Sequence, residues 1–281
     1  MKNTFKFSFS IFCLAIFLLS SCSKEAPIQP QKEATPAPLF SEDMQVCFDN
    51  PNNPYEYVGV EHNLGLDAIA ATPGFENLTN EEAHNIATQS IENNTGLDLD
   101  LNYEEVAIID EDMEQEQPLV VSTQLLLDDD VISANAHDKL LELQNIIDQS
   151  ESPEELGNSI INLENDILQD DSFSEIDLKV VLGSTSMARH SFCYWMTASM
   201  DTASPWYAFI GEDANGLKGS VEARWGWWKR IIRKVRRVIR ADIAGFQYGM
   251  RRFWVWSWRG PRIIWRSIVI GIKYSYRAIW V

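Results

Sequence analysis

The 281-residue chain carries 41 acidic and 23 basic side chains, a formal charge of −18, with four cysteines and ten tryptophans. A chain of this size can close one or two domains around real cores. No CxxC pair or clustered Cys/His spacing marks a zinc site, and no glycine-rich phosphate loop or nucleophile elbow marks an enzyme. No catalytic residue, metal or cofactor is therefore expected.

Lys2 and Lys6 flank the start of an apolar run, Phe7 to Leu19, that is too short to span a bilayer comfortably and has the form of a signal peptide. Leu19-Ser20-Ser21-Cys22 resembles the lipobox of bacterial lipoproteins, which implies acylation of Cys22 as a palmitate-type lipid anchor. Residues 23–44 carry four prolines and little apolar bulk, the composition of an extended tether. Ser23-Lys24-Glu25 resembles the charged signal that sends some Bacteroidota lipoproteins to the cell surface. The expected location is the cell envelope, lipid-anchored to the outer membrane, with periplasmic and surface-exposed faces both open. Cys13 leaves with the signal. Cys47 and Cys193 could pair in an oxidising compartment, although spacing alone does not fix their distance.

Charge divides the chain. Residues 1–223 hold 8 Lys/Arg against 40 Asp/Glu, whereas residues 224–281 hold 15 Lys/Arg against Asp242 alone, together with eight of the ten tryptophans. The expected layout is a signal peptide (1–21), a tether (22–44), an acidic helical domain (45–210), a loop (211–223) and a basic, Trp-rich tail (224–281). In the body, Thr79-Asn80-Glu81-Glu82 is a capping start for a helix ending near Gly96. Val131 to Ile147 has helical apolar spacing. Ser152-Pro153-Glu154-Glu155 opens a helix continued by Leu156, Ile160, Leu163 and Ile167, and Ser172-Phe173-Ser174-Glu175 opens another through Val180 to Ala198, weakened at Gly183. Short strands are allowed around Val106–Ile109 and Leu119–Val121. The fold class is mainly α: a helical acidic body followed by a cationic amphipathic helical segment.

Asp110-Glu111-Asp112 and Asp128-Asp129-Asp130 lack the alternating ligands and glycine of an EF-hand loop. They read as a solvated acidic face, or as a shield for the basic tail. His62, His84, His137 and His190 are scattered, and His62 is expected to be a hydrogen-bonded, partly buried helix residue.

The tail begins with amphipathic sequence. On a helical wheel, Trp228, Ile231, Ile232, Val235, Val238, Ile239, Ile243 and Phe246 share an arc of about 140°. Lys229, Arg230, Arg233, Lys234, Arg236, Arg237 and Arg240 fill the opposing arc, beside Trp227. Asp242 falls inside the apolar arc, where an unpaired carboxylate is costly. An ion pair with an arginine elsewhere in the tail is the expected solution. Trp254, Trp256 and Trp258 alternate, as on one face of an extended segment. After Gly260-Pro261, Arg262, Arg266, Lys273 and Arg277 line one stripe of a helix about 30 Å long. That stripe argues against a simple lipid-facing span and suits an interfacial helix.

Asn53-Pro54-Tyr55-Glu56-Tyr57-Val58-Gly59-Val60-Glu61-His62-Asn63-Leu64-Gly65-Leu66-Asp67 resembles the start of the mature domain in a Bacteroidota lipoprotein family without an assigned activity, whose pattern is roughly NPYxYxGxxHNxGLD. Ala241-Asp242-Ile243-Ala244-Gly245 with Gly249 is similar to the ADxxGxxxG that opens that family's C-terminal segment. The resemblance implies a lipoprotein address. The family's tail is glycine- and alanine-rich, like the glycine zippers of bacteriocin-like peptides. Here tryptophans and arginines stand instead, which argues against close helix packing.

The leading expectation is a tail that binds anionic lipid or lipid A through its tryptophans and basic residues, in a bacteriocin-like role. The alternative is a non-catalytic envelope scaffold whose tail packs on its own acidic body, on a partner protein or on a second copy. The exported address and isoleucine-rich faces argue against nucleic acid.

Overall fold

Capping chemistry sets where the helices begin, and the apolar periodicity sets which faces they bury. The computed structural model describes residues 49–107, 118–151, 153–211, 221–256 and 262–280. Those residues form ten α-helices and no strand: α1 (Tyr57–Ala70), α2 (Asn80–Thr95), α3 (Tyr103–Ala107), α4 (Pro118–Asp128), α5 (Ala134–Gln149), α6 (Pro153–Leu168), α7 (Glu175–Met200), α8 (Tyr207–Ile210), α9 (Val221–Trp256) and α10 (Arg262–Trp280). The protein is mainly α. Thr79 and Glu82 form a reciprocal capping box at α2, and Gly96 ends that helix in the left-handed conformation at φ 68°. Ser174 and Asp177 form a second box at α7, and Ser133 caps α5. No described helix is long and apolar enough to cross a membrane.

Two expectations of strand are corrected. Val106 lies in α3, and Leu119–Val121 opens α4, where Pro118 starts the helix and Leu119, Ser122, Thr123 and Leu126 turn inward at helical spacing. Ile108 and Ile109 lie outside the described residues. The extended reading of the tryptophan segment also fails as far as Trp256, because α9 continues helically to that residue.

The described residues fall within one compact unit, whose centre is built from helices near both ends of that stretch. The longest body helix, α7, is buried nearly all round, packing on α1, α6 and α9. Helix α9 packs on α10, α7 and α4, while α10 also packs on α1 and α2. The apolar arc read from the sequence faces inward: Ile231, Val235, Val238, Ile239, Ile243 and Phe246 are all fully buried. In α10, all but a few residues from Ile263 to Ile279 are buried. Ser122 and Thr123 of α4 donate to the Gln247 side chain of α9 at 2.6 and 3.0 Å, which satisfies a buried amide.

Small residues bring α9 and α10 close together, contrary to the expectation from the bulky tail. A side-chain carbon on Gly249 would stand 2.5 Å from the Ser267 Cα, and one on Gly245 2.9 Å from the Gly271 Cα. The aromatic residues lie elsewhere on the helices, so a small-residue stripe survives between them. Replacing Gly249 with alanine is therefore expected to lower stability by about 1–3 kcal/mol through overpacking, although alanine is the better helix former by about 1 kcal/mol. Urea unfolding of the Gly249→Ala chain checks this, and unchanged or raised stability would contradict the close approach.

Candidate functional site

Three polar constellations stand out, two in the interior and one at the surface. The first surrounds Asp242. Its carboxylate accepts hydrogen bonds from the Ser191 hydroxyl, the Ser275 hydroxyl and, at 3.1 Å, the Trp195 indole N–H. His62 Nε2 lies 2.9 Å from Ser275 Oγ and 3.9 Å from the carboxylate. Asp242, His62, Ser191, Trp195 and Ser275 are all fully buried. The expected arginine partner is thus replaced by neutral donors and a histidine from α1, α7 and α10. The reason is local: α9 meets those three helices at Asp242, while its arginines point the other way. Burial pushes the Asp242 carboxyl up, against the opposing pull of His62 and the three donors. Burial likewise pushes His62 down, against the pull of Asp242 and Asn63. Although serine, histidine and aspartate meet here, the serine sits between the imidazole and the carboxylate. The aspartate therefore cannot orient the histidine as a base, and no substrate could reach the buried hydroxyl. This is a packing node.

The second constellation ties the segment before α1 to α6 and α7. The Arg189 guanidinium, fully buried, bonds both Glu56 and Glu164, the latter at 3.0 Å. Asn50 and Asn53 donate to the same Glu164 carboxylate at 2.7 and 2.8 Å. His190 Nε2 lies 2.8 Å from Glu56. Several other positions of the NPYxYxGxxHNxGLD segment dock in the same way. The Gly59 amide donates to Ser186 Oγ, Asn63 to the His190 carbonyl, and Tyr194 to Asp67 at 2.9 Å. The ligand atoms of Asp49, Glu56 and His190 lie within 4.8 Å of one another, a carboxylate–imidazole set of the kind transition metals accept. The guanidinium already clamped on Glu56 opposes a cation there.

The third is a surface cleft of about 390 Å³ between α9 and the end of α5. It is lined by Lys229, Ile232, Arg233, Arg236 and Arg240 on one side and by Asp148, Gln149 and Glu151 on the other. Arg240 pairs with Asp148, its Nε at 3.0 Å, and Arg236 donates to the Ser150 carbonyl at the C-terminal end of α5. Cations suit that end of a helix, where carbonyls lack intrahelical partners. Burial lowers the Arg236 pKa, and the like charge of Arg240 adds to this.

The residues expected to meet a membrane are scattered by the fold. Lys229, Arg230, Arg233 and Arg237 are exposed, Lys234, Arg236 and Arg240 are half-buried, and Trp254 is 42% exposed. Arg262 and Arg277 are half-buried. Arg266 and Lys273 are buried, which corrects the expectation of an interfacial basic stripe on α10. Arg266 donates to the Leu99 and Asp100 carbonyls at 2.7 and 2.8 Å, beneath the Phe253 ring. Lys273 donates to the Val106 carbonyl at 3.3 Å, over Tyr103. Side chains shaped to snorkel at a lipid headgroup instead satisfy a turn of this chain. Asp129 of the acidic run pairs with Arg251 at 2.5 Å. Cys22, Cys47 and Trp258 lie outside the described residues, as do the side chains of Trp227, Trp228 and Trp256. Cys193 is half-buried on α7.

Arg189 and Glu164 were not singled out from the sequence. The signal was a charged residue within the apolar run Val180 to Ala198, which implies a buried partner. Set against known protein families, curated proteins and solved structures, the chain matches none.

Burial alone would raise the Glu56 carboxyl. Hydrogen bonds from His190 and Arg189 and the charge of Arg189 instead hold it at about 2, below its unfolded value of 4.5. A depressed carboxylate stabilises the fold fully above the unfolded value and loses that contribution as pH falls toward the folded one. Glu56→Gln is therefore expected to cost roughly 2 kcal/mol at neutral pH, a figure discounted for partial exposure. The gap to the parent should narrow as pH falls from about 4.5 to about 2. Urea midpoints of both chains across that range measure it, and a gap independent of pH would contradict the assignment.

Proposed function

We propose that this chain is a non-catalytic, lipid-anchored module of the cell envelope, whose cationic C-terminal helices serve as the core of its own acidic body. The observation that carries this reading is the burial of the apolar arc of α9 and of nearly all of α10 against α1, α2, α4 and α7. An apolar face used in this way is withheld from a bilayer, because exposing it would open the core and strip the donors from Asp242. The lipidated Cys22 and the tether of residues 23–44 then supply membrane attachment, and the helical module stands off the surface as a binding platform.

Hydrogen exchange of the mature, non-acylated chain tests this directly. Amides of α9 and α10 from Val235 to Ile279 are expected to exchange as slowly as those of α7, with and without anionic vesicles. Deleting residues 221–281 is expected to leave the body without cooperative unfolding. Fast exchange throughout α10, or a body that stays cooperatively folded after the deletion, would restore the membrane-seeking tail as the better reading.

A further inference from the structure

We propose that the cleft between α9 and the end of α5 is a binding site for a phosphate group, free or carried on a lipid headgroup. Lys229, Arg233, Arg236 and Arg240 fall within an arc of about 60° on α9, so four cationic side chains share one wall. The facing wall supplies the carboxylates of Asp148 and Glu151, and Glu155 also acts on Arg236, so cations outnumber the carboxylates around the cleft. An anionic phosphate group suits that cationic wall.

The side chains are also graded for the task. At the inner end, Arg236 and Arg240 are fixed in place by the Ser150 carbonyl and by Asp148. At the outer end, Arg233 and Lys229 are exposed. Arginine forks offer parallel N–H donors that suit tetrahedral oxyanions, and lysine adds a point charge. A volume of about 390 Å³ exceeds one phosphate, so the group is expected to arrive on a diphosphate or a headgroup. Arg230, Lys234 and Arg237 point to the other side of α9 and do not line the cleft. They provide the internal control. The site does not depend on the platform reading, since the cleft exists wherever α5 meets α9.

The test uses the full mature chain without its acyl group, titrated calorimetrically with inorganic phosphate and with pyrophosphate at low ionic strength. A parallel arm measures co-sedimentation with phosphatidylcholine vesicles, with and without phosphatidic acid. The parent is compared with Lys229→Gln, Arg233→Gln and Arg237→Gln, each of which alters an exposed side chain and the same net charge. Loss of one charge-assisted contact is expected to weaken binding about tenfold for the first two variants, and less than about twofold for Arg237→Gln. Thermal midpoints of all three should match the parent. Saturation by the free ions assigns a soluble phosphate ligand, and saturation by phosphatidic-acid vesicles alone assigns a headgroup. No binding of any probe by the parent would overturn the site. Equal losses in Arg233→Gln and Arg237→Gln would also overturn it, because that is the behaviour of diffuse surface charge.

Discussion

The buried carboxylate of Asp242 constrains everything around it. An aspartate with no exposed surface must be met by donors, and here they come from three other helices: Ser191 and Trp195 on α7, Ser275 on α10, and His62 of α1 through Ser275. Neither α7 nor α10 supplies all three direct donors, and α1 fixes the serine between them. A one-residue slip of α9 would carry the carboxylate about 100° around its axis and leave both it and its donors unpaired in an apolar interior. Nearby, the glycine approach sets the separation of α9 from α10, while Asp242 sets their register. The two act together because Gly245 lies three residues beyond Asp242, and the Asp242 carbonyl itself stands 3.1 Å from a carbon built on Gly271.

The segregation of charge along the sequence follows from this arrangement. A basic segment attached to an acidic body has many places to dock by Coulomb attraction alone, and exposed ion pairs contribute little to stability. Arg240 with Asp148 and Arg251 with Asp129 are of that partly exposed kind. They can bring the halves together without fixing how they fit. Uniqueness comes from the interior, where Arg266 and Lys273 are committed to backbone carbonyls between Leu99 and Val106. Those cations are desolvated, and withdrawing either would leave carbonyls and charge unsatisfied together.

Much of the helical framework was legible because capping is local. Thr79 with Glu82, and the start near Ser174, announce helices without reference to the rest of the chain. The amphipathic arc of α9 was equally legible, but its destination was not. Lipid and protein core are both apolar, and a wheel of isoleucines opposite arginines satisfies either, so periodicity alone could not choose between them. The strand expectations failed at Leu119–Val121 because β-branched residues also serve helices when tertiary packing rewards them. The partner of Asp242 was hidden because Ser191, Trp195 and Ser275 carry no signal as isolated residues; they acquire one only after the helices are placed. Arg189 differed in that its setting already demanded a partner, though not which one.

The quoted N-terminal motif takes on a physical meaning in this light. Its asparagines, Glu56, His62, Asn63 and Asp67 point at α6, α7 or α10, and Gly59 sits where a side-chain carbon would stand 2.6 Å from the Ser186 carbonyl. Such a segment behaves as a strap: Asn53, Glu56, His62, Asn63 and Asp67 each close on a group of another helix. The C-terminal ADxxGxxxG segment is its counterpart, with Asp242 supplying the carboxylate that the strap's His62 reaches through Ser275. Both motifs therefore tie five helices, α1, α6, α7, α9 and α10, into one register. Among the described residues, the cationic arc at the start of α9 lies outside this buried network, its Arg236 and Arg240 bonded only to the end of α5.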